Sequence, residues 1–168
     1  MNSMSAVYAF RPLSRCDLPL LARWLAAPHV AAWWGDPGEQ LQIVSGDSGD
    51  IECPDMDQFI VTAGERPFGY LQCYDASAWP ENGFGSLAPG TRGIDQFIGE
   101  LDMIDHGHGS AFIRMFVERL LTAGAPRVVT DPDPNNLRAV RANEKAGFKK
   151  DRLVDTQQGR AILMVRDV

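Results

Sequence analysis

The sequence predicts an α/β domain whose mixed central sheet is flanked by helices. Strand-like runs alternate with helical periodicity along the second half, which calls for crossover connections and parallel pairing. Turn signals join other neighbouring runs, at Gly64-Glu65-Arg66-Pro67 and at Gln157-Gln158-Gly159, which calls for antiparallel hairpins. The size agrees: 168 residues fit one domain, 1–168. A domain of this length buries about two-thirds of its unfolded surface, enough for a core without disulfides or metals.

Val7 to Leu13 reads as the first strand. Ser14 is placed to cap a helix opened by Asp17 and Leu18, with Leu18, Leu21, Trp24 and Leu25 on its apolar face and Pro28 as its stop. His29 to Trp34 forms a second short apolar segment, closed by Gly35-Asp36-Pro37-Gly38. Gly46 to Asp55 is rich in Gly, Ser and Asp and reads as a loop. Gln58 to Ala63 and Phe68 to Tyr74 are strands joined as a hairpin. Ala76 to Arg92 reads as a long irregular loop, of a length that is commonly functional or disordered.

Gly93 to Leu101 is the next strand, and Asp102 to Gly109 a glycine-containing turn. Ser110 to Ala123 is a strong amphipathic helix: Phe112, Ile113, Phe116, Val117, Leu120 and Leu121 recur at helical spacing before the stop at Gly124. Arg127 to Thr130 is a short buried strand. Asp131-Pro132-Asp133-Pro134 is a rigid turn, and Asn135 to Ala146 a second helix stopped by Gly147. Phe148 to Val154 and Ala161 to Val165 close the chain as a hairpin.

Composition removes several functions. A net charge of −6 argues against nucleic-acid binding, which needs a basic surface. It suits a small cationic substrate, and equally suits plain solubility. Cys16, Cys53 and Cys73 are odd in number and lack CxxC spacing, so neither a disulfide framework nor a zinc site is expected. His106 and His108 lack a third ligand at zinc spacing, and no metal is expected. No signal peptide is visible and no apolar run approaches the roughly 20 residues that span a bilayer. The expectation is a cytoplasmic protein with no membrane partner, a monomer or a homodimer.

Two segments carry chemistry. In Asp105-His106-Gly107-His108-Gly109-Ser110 a glycine turn opens a helix, leaving backbone N–H groups aimed one way at the positive end of the helix dipole. That arrangement suits a phosphate, and equally suits a tight turn. No Gly-Lys-Ser/Thr follows, so a Walker A loop is excluded. The second segment runs from Asn135 to Phe148, Asn-Asn-Leu-Arg-Ala-Val-Arg-Ala-Asn-Glu-Lys-Ala-Gly-Phe. Physically it is a capped helix with a glycine stop before a strand.

This second segment resembles the N-x-x-A-x-x-x-Y-E-K-x-G-F signature of the GNAT N-acetyltransferases, and the resemblance covers nearly the whole chain. Trp33-Trp34-Gly35, Gly69-Tyr70 with Gln72 and Tyr74, Arg92-Gly93-Ile94-Asp95-Gln96 and Thr130-Asp131-Pro132 are similar in order and spacing to the aminoglycoside 6′-N-acetyltransferase branch. The resemblance implies a GNAT fold, acetyl-CoA as cosubstrate and a cationic amine as acceptor. It implies that Gln96, Phe97 and Ile98 pair with the pantetheine arm, and that His106, Gly107, His108, Gly109 and Ser110 hold the pyrophosphate. Asn136, Ala139 and Asn143 complete the cofactor-binding set.

Asp95 and Asp131 then become ligands of the substrate amine, with Asp95 the general base. An amine near neutral pH is mostly ammonium, which a carboxylate can attract, orient and deprotonate. On residue chemistry alone Asp131 fits a turn role as well, and strand alternation leaves Asp95 free to face solvent. Trp33 and Trp34 fit either an acceptor wall or a packing pair. Gln72 and Tyr74 share one strand face and line the same cleft, and Glu144 joins the substrate-binding set. Two departures stand out. Ile104 and Asp105 lie where the family's glycine turn begins, putting an acid near a pyrophosphate, and Asn143 stands where the family has a tyrosine. The tyrosine is the family's acid for the departing thiolate; a tyrosine at 143 is expected to fit. The expected reaction is direct acetyl transfer in a ternary complex. Other acceptors (a polyamine, amino sugar, siderophore amine or peptide) are alternatives, and so is a catalytically impaired acyl-CoA sensor.

Overall fold

The computed structural model describes residues 7–45 and 55–168. The loop expected at Gly46 to Asp55 lies outside them up to residue 54, as does Cys53. Among the described residues the strands are β1 (Tyr8–Pro12), β2 (Met56–Ala63), β3 (Arg66–Asp75), β4 (Arg92–Ile98), β5 (Arg127–Thr130), β6 (Lys149–Thr156) and β7 (Gly159–Asp167). The helices are α1 (Leu18–Ala26), α2 (Pro28–Trp34), α3 (Pro37–Ser45), α4 (His108–Thr122) and α5 (Leu137–Lys145). The strands form one mixed sheet in the order β1-β2-β3-β4-β5-β7-β6. β1–β2, β5–β7 and β6–β7 are antiparallel, and β4–β5 is parallel.

Two expectations about the first half need correction. Pro28 does not simply end a helix. Ala27 takes an extended conformation (φ −65°, ψ 133°) between α1 and α2, and Pro28 is the first residue of α2. A proline is tolerated there because the first-turn N–H has no intrahelical partner anyway. The same logic produces α3, which sequence reading missed. Asp36 Oδ1 accepts from the Glu39 N–H at 2.9 Å, and Pro37 opens the helix. The pair that reads as a loop is a cap followed by a pre-set first residue.

By compactness the chain divides into two units, Met1–Gln72 with Gln96–Ile104 and Cys73–Asp95 with Asp105–Val168. The first buries Leu21, Trp24 and Leu25 of α1, Val30 of α2 and Val44 of α3 with Ile60, Tyr70 and Phe97. Its α1 entry is held by Asp17, which accepts two hydrogen bonds from Arg11, at 2.7 and 2.8 Å, and one from the Ser14 N–H at 2.8 Å. These bonds hold the Asp17 carboxyl below its ordinary range.

In the second unit α4 buries Phe112, Ile113, Phe116 and Val117, the expected face. The segment expected as irregular loop is ordered by short 3₁₀ turns at Ala76–Ala78 and Pro80–Asn82. Asp75 Oδ1 accepts from the Ser77 N–H at 3.0 Å, Asn82 Nδ2 donates to the Ala76 carbonyl at 3.1 Å, and Phe84 is buried to 2 % exposure.

Candidate active site

β4 and β5 are joined through α4, so they run parallel. Their pairing covers Arg92↔Val128 and Gly93↔Val129. Both pairs are offset by 36 positions (128 − 92 and 129 − 93). Extending that register by two residues brings Asp95 opposite Asp131, on one face of the sheet. Asp95 lies close enough to act on the Asp131 carboxyl. Its backbone is held from the other side, where Thr130 pairs with Met164 of β7 and Ile162 N–H donates to the Pro132 carbonyl at 2.9 Å. The turn and the ligand readings of Asp131 are therefore compatible: the turn aims the carboxyl at Asp95.

Burial and the neighbouring charge of Asp95 push the Asp131 carboxyl up to about 8. Tyr74 of β3 shares this environment. Its phenol is raised well above its ordinary value, first by burial and then by the charges of Asp95, Asp131 and Cys73. Its ring lies against the bare backbone of Gly93. A Cβ there would come within 2.3 Å of Tyr74 Cζ and 2.7 Å of the hydroxyl oxygen. Sequence reading did not single out Gly93 for this, although a glycine inside a strand is a mark of close approach. Cys73, buried beside Tyr74, accepts from Arg92 Nη2 at 3.3 Å.

The other expected acceptor residues have these surroundings. Trp34 packs edge-on against Phe97 (centroids 4.9 Å, 81°) and Tyr70 (5.9 Å, 83°). Trp34 thus packs into the core of the first unit, whereas Trp33 is 43 % exposed. The Tyr70 hydroxyl lies 2.7 Å from Gln58 Oε1 and 2.9 Å from Gln72 Oε1. A hydroxyl has one proton to give, and Gln58 already donates its Nε2 to the Val44 carbonyl at 3.3 Å. The hydroxyl therefore sits between two glutamine oxygens, with Gln58 the nearer acceptor. Glu144, near the end of α5, is exposed and sits 3.5 Å from Lys150 Nζ.

Gln96 and Ile98 are half-buried on β4, and Phe97 is buried. The Ile98 carbonyl lies 3.0 Å from His29 Nε2. A carbonyl only accepts, so that ring nitrogen carries the proton.

The glycine turn has the form expected of it. Gly107 caps α4 in the left-handed region (φ 82°), which glycine tolerates. A Cβ on it would meet nothing within 4 Å, so the backbone there is open to an approaching group. His108, Gly109 and Ser110 form the first turn, and Ser110 Oγ donates to the Gly107 carbonyl at 3.3 Å. Asp105 is also left-handed (φ 63°). Its carboxylate is neutralised by Arg138 of α5, from Nε at 3.0 Å and Nη2 at 3.2 Å. The acid at the head of the turn thus carries its own counter-ion, a partner sequence reading missed.

Asn136 caps α5, its Oδ1 accepting from the Ala139 N–H at 3.3 Å. Asn143 is 1 % exposed. A tyrosine at 143, expected to fit, would have to displace the atoms that cover this asparagine.

A parallel strand pair bearing Asp95 and Asp131, joined by a crossover helix that opens on a glycine turn, is the frame of a GNAT acyl-transfer domain. The chain belongs to that family: residues 14–156 match the family described as acetyltransferase (GNAT) domain. It is similar to aminoglycoside N(6′)-acetyltransferase type 1 of Klebsiella pneumoniae, 34 % identical over 176 residues, covering 98 % of this chain and 85 % of that protein. A more distant relative is the lysine N-acyltransferase MbtK of Mycobacterium tuberculosis, 27 % identical over 154 residues, covering 88 % of this chain and 71 % of that protein. Among solved structures, the aminoglycoside acetyltransferase AAC(6′)-Ib with coenzyme A and kanamycin superposes with a TM-score of 0.83 at 31 % identity, covering 96 % of this chain and 95 % of that one.

Proposed function

We propose that this protein transfers the acetyl group of acetyl-CoA to a primary amine of a small cationic molecule, the 6′-amino group of an aminoglycoside. The Asp95–Asp131 pair is the observation that carries this reading. Two adjoining carboxyl groups, half-buried, attract an ammonium and supply a base for it. The similarity to aminoglycoside acetyltransferases over nearly the full chain supports the acceptor class.

The geometry fits a direct transfer. Asp95 and Asp131 hold the ammonium; Asp95 takes its proton. The backbone of Gln96, Phe97 and Ile98 pairs with the pantetheine arm, and the turn from His106 to Ser110 receives the pyrophosphate, with Asn136 and Ala139 at the head of α5 beside the cofactor. Holding both reactants at attack distance supplies much of the rate. Gln72, Tyr74, Trp33 and Glu144 are assigned to the acceptor side. Acetyl-CoA is an intracellular cosubstrate, which supports action in the cytoplasm.

The test is thiol release from acetyl-CoA on adding kanamycin, polyamines or lysine, with mass spectrometry of the product. Acetylated kanamycin supports the reading. Turnover confined to another amine moves the acceptor class. Tight CoA binding with no turnover on any amine replaces the enzyme by a sensor.

A further inference from the structure

Within the second unit, the segment 76–91 crosses the face of the sheet that carries Asp131. Strand alternation puts Val129 on the same face as Asp131. Val129 belongs to a buried cluster with Ala76 and Phe84 of that segment and with Val154, Ala161 and Leu163 of β6 and β7. Tyr74 and Leu87 pack against the cluster. Tyr74 is the ring that lies on Gly93, two residues before Asp95, and the charges of Asp95 and Asp131 both act on its phenol. An acceptor much larger than its one reacting amine, brought to the two aspartates, has to lie beside whatever crosses this face.

The segment is fastened at Phe84. The Phe84 ring is in the cluster, and its N–H donates to Asn82 Oδ1 at 2.8 Å. Its carbonyl accepts from Nη2 of Arg152, on β6. A Cβ on the preceding residue, Gly83, would run into the Asp155 carbonyl oxygen, so residues 83 and 84 are seated against β6. We infer that Arg152 is a positioning residue for the acceptor: by holding the Phe84 carbonyl it fixes the segment 76–91 in the place the acceptor needs. The inference rests on the amine-acetylation reading of this site. It adds a determinant of acceptor affinity that comes from the edge strand of the sheet.

The register of β6 accounts for the arginine. Lys149 pairs with Val165 and Lys150 with Met164, but Leu163 is opposite Arg152 and not Asp151. Asp151 is the extra residue of a bulge, a device that re-aims the side chains beyond it. Residues directly opposite each other in an antiparallel pair share a face, so Arg152 stands on the face of Leu163, the one on which Phe84 packs. Without the extra residue Asp151 would stand there. A carboxylate has no proton to give to a carbonyl, and it would add an acid to a face that already bears Asp131. Arg152 keeps half of its side chain exposed, where it also pairs with Asp151. It holds the segment from the rim, and its removal leaves the apolar cluster intact.

The expected consequence is a shift of population. An acceptor that binds only molecules with a fastened segment loses affinity in proportion as fewer of them are fastened, while saturating acceptor restores them all. KM for the acceptor then rises and kcat does not fall.

Acetyl transfer to kanamycin and hydrogen exchange of the backbone amides of residues 82–87 test this in wild type, Arg152→Ala and Arg152→Lys. If about a tenth of Arg152→Ala molecules stay fastened, KM for kanamycin rises about tenfold, with kcat and the KM for acetyl-CoA within about twofold of wild type. Lysine keeps a donor and should recover most of that loss. Exchange at residues 82–87 should quicken in Arg152→Ala while that of α4 is unchanged. An unchanged KM for kanamycin, or a fall in kcat at unchanged KM, overturns the inference, and so does unaltered exchange at residues 82–87. Where wild type acetylates another amine instead, KM for that amine is read by the same criterion. Where wild type acetylates no amine, the amine-acetylation reading has failed before any variant is compared, and this inference falls with it.

Discussion

Replacing Gly93 by alanine tests whether Tyr74 is held beside the carboxyl pair by the bare backbone beneath its ring. The added Cβ would lie 2.3 Å from Cζ, 2.4 Å from Cε2 and 2.7 Å from the hydroxyl oxygen. None of these contacts is tolerable, and neither side has an easy retreat. Gly93 is paired with Val129 in the sheet, and the Tyr74 ring is a stiff plate, not the end of a flexible chain. Overpacking of this kind costs about 1–3 kcal/mol. For a protein of this size that is roughly 2–12 °C in melting temperature. The ring's displacement should also lower kcat for acetyl transfer while CoA affinity stays the same. The double variant isolates the cause. In a Tyr74→Val background the clashing atoms are gone, so Gly93→Ala should cost less than about 0.5 kcal/mol, leaving a coupling energy above the usual error of additivity. Urea unfolding of the four proteins measures it. An unperturbed Gly93→Ala, or strictly additive losses, would refute the placement of the ring.

Asp95→Asn should lower kcat by about 10²–10⁴-fold, the range for a general base, with CoA affinity little changed; near-normal turnover removes Asp95 from the mechanism. In the glycine turn, His108→Ala should leave CoA affinity close to wild type while Gly109→Val weakens it, as titration of the folded variants would read. Asn143→Tyr should destabilise by about 1–3 kcal/mol through overpacking, whereas Asn143→Ala should cost no more than about 1–2 kcal/mol in activation free energy, both against wild type in melting and steady-state assays. Asp131, protonated in the folded protein up to about 8 against 3.8 for a free carboxyl, makes the folded state bind more protons than the unfolded state between those values. Stability should fall as pH rises through that window, and urea midpoints of Asp131→Asn should lack that slope.

Local signals carried the helices and strands whose periodicity is strong. Arg127–Thr130 was expected and found with the same bounds, and α4 and α5 differ from expectation by one or two residues at each end. What escaped was α3, because Asp36-Pro37-Gly38 is read by composition as a breaker. A helix start needs a cap acceptor and tolerates a missing N–H, and Asp36 and Pro37 meet both conditions. The segment from Ala76 to Arg92 was read as irregular for a similar reason. Its order comes from Asp75 and Asn82 side chains bonding backbone groups nearby, and from Phe84 in the core. None of these produces a period.

The site divides along the same line, by separation in the chain. Gly107, Gly109 and Ser110 are neighbours, and the turn they make was legible. Asp95 and Asp131 were legible as residue types, but their contact depends on the register of two parallel strands, and that register is set by the crossover through α4. Had β5 slipped by one residue, Asp131 would face the opposite side of the sheet and the same two motifs would form no pair. The pairing of Asp105 with Arg138, 33 residues apart, is hidden in the same way. It changes the reading of the turn: an aspartate that looks hostile to a phosphate in sequence is, in the fold, half of an ion pair. Both cases favour the same order of inference. Sequence motifs name the groups, and strand register decides which charges act alone and which are compensated.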